Sequence, residues 1–127
     1  MEYDPALVES GYWEADGACE ATLRLIDRTP GLTAVYAQND TMALGASSAL
    51  HERGIAVPED CAVVGCDDIP IAAHAIPPLT TVHIPFFETG ETAVRLLLGR
   101  ISGKSSDRGP SCCRSGSCDT SRVAPEE

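Results

Sequence analysis

The sequence predicts an α/β domain built on a largely parallel sheet. Two observations point there. Short apolar runs rich in β-branched residues, "LTAVYA" and "CAVVG", have the length of buried strands. Between and around them lie longer stretches with helical spacing of apolar residues, so that strand-sized and helix-sized segments alternate, the order that feeds parallel pairing. At 127 residues the chain is about one domain's worth of material, enough to bury a modest core.

Taken in order, "LVESGYW" reads as a short strand followed by a loop. "EADGACEATLRLIDR" places apolar residues at 18, 21, 22, 25 and 26, one face of a helix, and Pro30 and Gly31 end it. "LTAVYA" is the next strand. Residues 40 to 53, "DTMALGASSALHER", read as a helix with Asp40 as its N-cap and Gly54 just past its end. A turn at Pro58 leads into "CAVVG", and "PPLTTVHI" supplies a further short strand. "FFETGETAVRLLLGRIS" has the pattern of a second amphipathic helix. From Gly103 onward apolar periodicity disappears, which predicts loop or disorder. The expected division is a folded domain over 1–103 and an irregular tail over 104–127.

Composition narrows the functions. With 43% hydrophobic and 22% charged residues, the chain is ordinary for a globular protein. Its formal net charge of −10 argues against direct contact with nucleic acid or an anionic membrane, both of which call for a basic face. No run approaches the roughly 20 apolar residues of a membrane span. The amino terminus, "MEYDPALVES", lacks the basic and apolar regions of a signal peptide. With residue 1 as the natural start, a cytoplasmic location is expected. No paired carboxylates, activated nucleophile or phosphate loop stands out, so no enzymatic activity and no cofactor are expected. His51, His74 and His83 are scattered and fit no metal motif. Cys19, Cys61 and Cys66 stand singly in apolar surroundings, where a free cysteine acts as a small buried hydrophobe.

The junction "YAQNDTMALG" sets three polar residues between two apolar elements. In an open parallel sheet, ligands bind at the carboxyl ends of the strands. Asn39 follows "LTAVYA" and Asp67 follows "CAVVG", so both are expected at one edge. There an amide and a carboxylate offer donors and acceptors to a polar ligand such as a sugar. A purely structural use is equally open to their neighbours: Asp40 as a helix cap, Asp68 as a cap or a partner of its own turn.

Three pieces in order, "NDTMALGA", "GIAVPEDCAVVGCDDIP" and "PPLTTV", resemble the carboxyl-terminal part of transcription regulators of the lactose/galactose repressor family. The likeness runs from about Pro5 to Gly103. It implies a type I periplasmic-binding-protein-like sensor domain, in which two α/β lobes hold an effector between them behind an amino-terminal helix-turn-helix. Only the second lobe is expected within this chain. The resemblance implies that Asn39 and Asp67 hydrogen-bond the effector and that Trp13 stacks on it, a face suited to a sugar ring or a purine. Ile84 falls where some sugar-binding members carry a polar contact, which hints at a different effector. The family's dimers imply contacts through the helix near Asp40 and the segment before Pro77, here Leu44 and Ala75.

The expected function is therefore that of an effector-sensing fragment. Its ligand is a small polar molecule, a carbohydrate by first expectation, and its protein partner a second copy of itself. Operator DNA would be reached only through a helix-turn-helix that the chain lacks. A fragment of a periplasmic solute-binding protein, or a nonfunctional gene relic, are the alternatives. The tail departs from the family's ending "VLLPxxLVxRxS". Its "SCCRSGSC", read in a neighbouring frame, can encode Leu-Leu-Pro-Glu-Arg-Leu-Val, which suggests a local frameshift over about Pro110 to Cys118. Cys112, Cys113 and Cys118 match no zinc spacing, so no metal site is expected there.

Overall fold

The computed structural model describes residues 4–103. The Cys112, Cys113 and Cys118 cluster and the frameshift it suggests lie outside them.

The chain opens with a single 3-10 turn at Pro5–Leu7, capped by the Asp4 carboxylate, which accepts the Ala6 N–H at 2.9 Å. The strand expected over "LVESGYW" does not form. Val8 is extended, yet it joins no ladder. Side chains explain this: Glu9 is held by Arg28 at 2.7 Å and Arg24 at 3.2 Å, tying the segment to the first helix. That helix, α1, spans Ala15–Arg28 and buries Ala18, Ala21, Thr22 and Leu25, the stripe its spacing predicts.

Three strands follow: β1 at Ala34–Tyr36, β2 at Ala62–Asp67 and β3 at Thr80–His83. They form one parallel sheet in the order β1-β2-β3, with Tyr36 opposite Val64 and Asp67 opposite His83. The helix α2, Asp40–Glu52, crosses from β1 to β2. Gly54 ends it at φ 68°, a left-handed position that suits glycine after a helix. A 3-10 turn at Pro70–His74 and a loop join β2 to β3, and α3 spans Phe86–Ile101.

The core is made of small side chains. Ala43, Ala46, Ala72 and Cys61 pack with Leu50, Val63 and Leu79 between α2 and one sheet face. Leu50 is fully buried and contributes about 2 kcal/mol of transfer free energy. Burial also pushes the Cys61 thiol above its ordinary pKa.

α1 lies alongside α2 and runs the same way. Gly45 of α2 sits against Ala15, so close that a Cβ there would stand 2.1 Å from the Ala15 carbonyl oxygen. Toward the other end, Arg53 pairs with Asp27 and holds that carboxyl below its ordinary pKa. The opposite sheet face carries Ala34, Tyr36, Val64, Cys66, Thr80 and Val82, none of them buried. No residue of α3 is buried either, although its pattern is amphipathic; Phe87, Leu97 and Ile101 are exposed. Among the described residues, the core therefore rests on α1, α2 and the sheet.

Candidate functional site

Parallel pairing puts the carboxyl ends of β1 and β2 side by side, and this edge collects the polar residues of interest. Asn39 follows β1 by three residues and is the N-cap of α2. Its Oδ1 accepts the Met42 N–H at 2.7 Å. The expectation that Asp40 caps the helix is thus corrected by one position. The amide oxygen of Asn39 reaches the free N–H of the third helical residue, and Asp40 is carried inward. With Oδ1 committed to the cap, the Nδ2 of Asn39 is the group left as a donor.

Asp40 is fully buried, accepting hydrogen bonds from the Ile69 N–H at 2.8 Å and from the Thr81 hydroxyl. It therefore joins α2 to the loop after β2 and to β3. Asp67 closes β2 at φ 112°, and Asp68 follows at φ 57°. Asp68 donates its N–H to Thr81 Oγ1 at 3.3 Å, and its Oδ2 lies 3.0 Å from His83 Nδ1.

Trp13 lies before α1, at φ 65°, preceded by Tyr12 at φ 53°. The turn is pinned by Gly11. Its carbonyl accepts the Glu14 N–H at 3.1 Å, and a Cβ on it would stand 2.8 Å from Met42 Cε. Met42 belongs to the first turn of α2, so the Trp13 turn abuts the helix end that Asn39 caps. The indole is 64% exposed. It lines a cleft of about 910 Å³ between residues 7–13 and β1, shared with Tyr12, Tyr36 and Gln38. Asn39 and Asp67 stand at the neighbouring rim and do not line this cleft.

Among the described residues, the non-glycine positions with positive φ are Tyr12, Trp13, Asp67 and Asp68. Each costs about 1–3 kcal/mol and persists only where its surroundings enforce it. Both pairs lie on the carboxyl-end side of the sheet. Beside Asp67, the Tyr36 hydroxyl has a raised pKa, first through burial and then through Cys66 and Asp67.

Sequence reasoning passed over His83 as a scattered surface residue. It ends β3 opposite Asp67 and touches Asp68. Its place at the carboxyl end of the strand-like run "PPLTTVHI" was the available signal. Leu44 and Ala75 are brought together in a second groove of about 570 Å³, with Ser47, His51 and a fully exposed Ile76. Ile84 is half-buried just past β3. Among the described residues, no three His, Cys, Asp or Glu side chains are grouped to hold a metal ion. Nor is any described helix long and apolar enough to cross a membrane.

A parallel α/β lobe with polar residues at the carboxyl ends of adjacent strands is the frame of a small-molecule-binding lobe. Residues 2–115 match the family described as periplasmic binding protein-like domain, and the chain belongs to that family, in the form found in LacI-family transcriptional regulators. It is 44% identical over 107 residues to the HTH-type transcriptional regulator CelR of Thermobifida fusca, covering 84% of this chain and 32% of the relative. It is 43% identical to the HTH-type transcriptional repressor PurR of Vibrio atlanticus, covering 83% and 31%. The solved CelR–cellobiose complex superposes with a TM-score of 0.78 at 44% identity, over 84% of this chain and 32% of that one. The chain spans about a third of the length of the curated relatives it matches.

Proposed function

We propose that this chain is the second-lobe, effector-sensing part of a cytoplasmic transcriptional regulator, and that it binds a small polar ligand, a carbohydrate, at the rim formed by Asn39, Asp67 and Trp13. The observation that carries this reading is that two left-handed dipeptides fall beside the ends of neighbouring elements, Tyr12-Trp13 next to Gly11 against Met42 in the first turn of α2, and Asp67-Asp68 at the close of β2. A fold spends strain at such places where geometry matters to function. The chemistry suits a sugar. Asp67 accepts hydroxyl hydrogen bonds, the Nδ2 of Asn39 donates one, and an indole face covers the C–H side of a ring. The CelR relative, solved with cellobiose, supports the same class.

The chain acts by binding and not by catalysis. It self-associates through the groove holding Leu44 and Ala75, and the solved Lac repressor dimer on operator, 37% identical, supports a dimeric arrangement. Operator DNA is contacted by a helix-turn-helix outside residues 1–103. Residues 1–103 form one functional unit. Effector binding shifts lobe arrangement, and the coupling to operator affinity is reciprocal, typically about 1–3 kcal/mol.

The test places residues 5–103 in CelR in place of the matching segment and measures cellobiose affinity by calorimetry. Asp67→Ala removes a charged acceptor contributing about 1.5–3 kcal/mol, so affinity is expected to fall about tenfold or more. A folded chimaera that ignores cellobiose, or one whose Asp67→Ala variant binds it as tightly as the parent, refutes the reading.

A further inference from the structure

Behind the rim lies a polar unit that no part of the proposed ligand contact uses. Its centre is the carboxylate of Asp40, fully buried in the first turn of α2. A buried charge is stable only when it is hydrogen-bonded, and this one draws on two separate elements. One oxygen takes the Ile69 N–H from the loop beyond β2 at 2.8 Å, and the other takes the Thr81 hydroxyl from β3. The Thr81 oxygen in turn accepts the Asp68 N–H at 3.3 Å. Gly65 makes room for the arrangement, since a Cβ at that point of β2 would stand 2.3 Å from Asp40 Oδ1. Two donors, 29 and 41 positions further along the chain, thus serve one carboxylate.

The backbone positions this unit holds are Asp68 and Ile69, the two that follow Asp67. Asp67 and Asp68 carry positive φ angles, a conformation two consecutive aspartates do not keep unaided. We propose that Asp40 and Thr81 are positioning residues of the ligand site: by anchoring the backbone N–H groups of Asp68 and Ile69, they hold the turn that aims the Asp67 carboxylate at the ligand. Neither touches the ligand itself. This role rests on the reading of Asp67 as a ligand contact.

The experiment uses the CelR chimaera with cellobiose as the probe, at a temperature well below every variant's melting point. Thr81→Val keeps the shape of the side chain and removes the hydroxyl that links Asp40 to Asp68. Affinity is expected to fall about tenfold, while Thr81→Ser, which restores the hydroxyl, stays within about twofold of the parent. If Thr81 acts through Asp67, its loss is felt only while Asp67 is present. Adding Thr81→Val to Asp67→Ala should then weaken binding little further, since residues acting through one contact are not additive. A lobe merely loosened by the substitution would show equal losses in both backgrounds, and that result overturns the positioning role. So does a Thr81→Val variant that binds as the parent does, and in either case an Asp67→Ala loss leaves the site reading standing. A neutral Asp67→Ala sinks the site reading and this role with it.

Discussion

Gly45→Ala should destabilise the lobe, even though it replaces a helix-interior glycine by the best helix former. Alanine gains up to about 1 kcal/mol over glycine inside a helix. At Gly45 the added Cβ would lie 2.1 Å from the Ala15 carbonyl oxygen, 2.9 Å from its carbon and 3.0 Å from its Cα. Contacts of that kind need roughly 3.2 Å or more, so α1 and α2 must part by about 1 Å at their closest approach. The obstruction is backbone, which has no rotamer to swing away. Overpacking of this sort costs typically about 1–3 kcal/mol, which outweighs the gain in propensity. For a domain of this size each kcal/mol is worth about 4–8 °C in melting temperature, so a net loss of up to about 2 kcal/mol should lower it by up to roughly 8–16 °C. Thermal unfolding followed by circular dichroism measures this directly. Gly90→Ala in α3 is the control, because nothing lies within 4 Å of its added Cβ, and it should not lower the midpoint. If Gly45→Ala melts at or above the parent, the claim that these two helices meet through backbone at Gly45 is wrong.

The carboxyls of Glu9 and Asp27 are held below their ordinary range, Glu9 by Arg28 and then Arg24, Asp27 by Arg53. A lowered folded pKa stabilises above the unfolded value, about 4, and that contribution is lost as pH falls through the folded one. Melting curves between about pH 5 and pH 2.5 should therefore show a smaller acid loss in a Glu9→Gln/Asp27→Asn variant than in the parent; equal slopes contradict it. Asn39 has two separable uses. Asn39→Asp should keep the helix cap and the melting temperature, since aspartate caps as well as asparagine, yet weaken cellobiose binding in the chimaera by removing the Nδ2 donor. Asn39→Ala should additionally destabilise by about 1 kcal/mol, and a variant that changes neither property would remove Asn39 from both roles. Ala75→Asp puts a charge into the groove beside Leu44. Light scattering should show loss of self-association, and an unchanged oligomeric state counts against that surface.

Local signals served where the physics is local. The buried face of α1 could be read from the spacing of Ala18, Ala21, Thr22 and Leu25, because a helix that must bury one side repeats its apolar residues every three to four positions. Gly54 marked the end of α2 because only the left-handed region suits that position. The placement of Asn39 and Asp67 at the ends of adjacent strands followed from the order of elements alone, since parallel strands joined by crossovers end on one edge.

Other assignments depended on partners far away in the chain. Asn39 and Asp40 are both good capping residues, and nothing within a few positions ranks them. The choice fell to Thr81 and Ile69, which supply donors to a carboxylate, and to Gly65, which leaves space for it. "LVESGYW" has strand composition, but a strand exists only as a pair, and Arg24 and Arg28 draw Glu9 to α1 instead. His83 looked like any surface histidine until the register set it opposite Asp67. In α3 the apolar repeat states that a face is to be buried, but periodicity carries no address, and the described residues leave that face open. By itself the sequence determined the three helices, the three paired strands, their order and the family, because these arise from spacing along the chain. The tertiary structure alone decided which of two adjacent polar residues caps and which is buried, and which partners hold the turn of the strained aspartates. Those outcomes hang on hydrogen bonds and clearances between residues tens of positions apart.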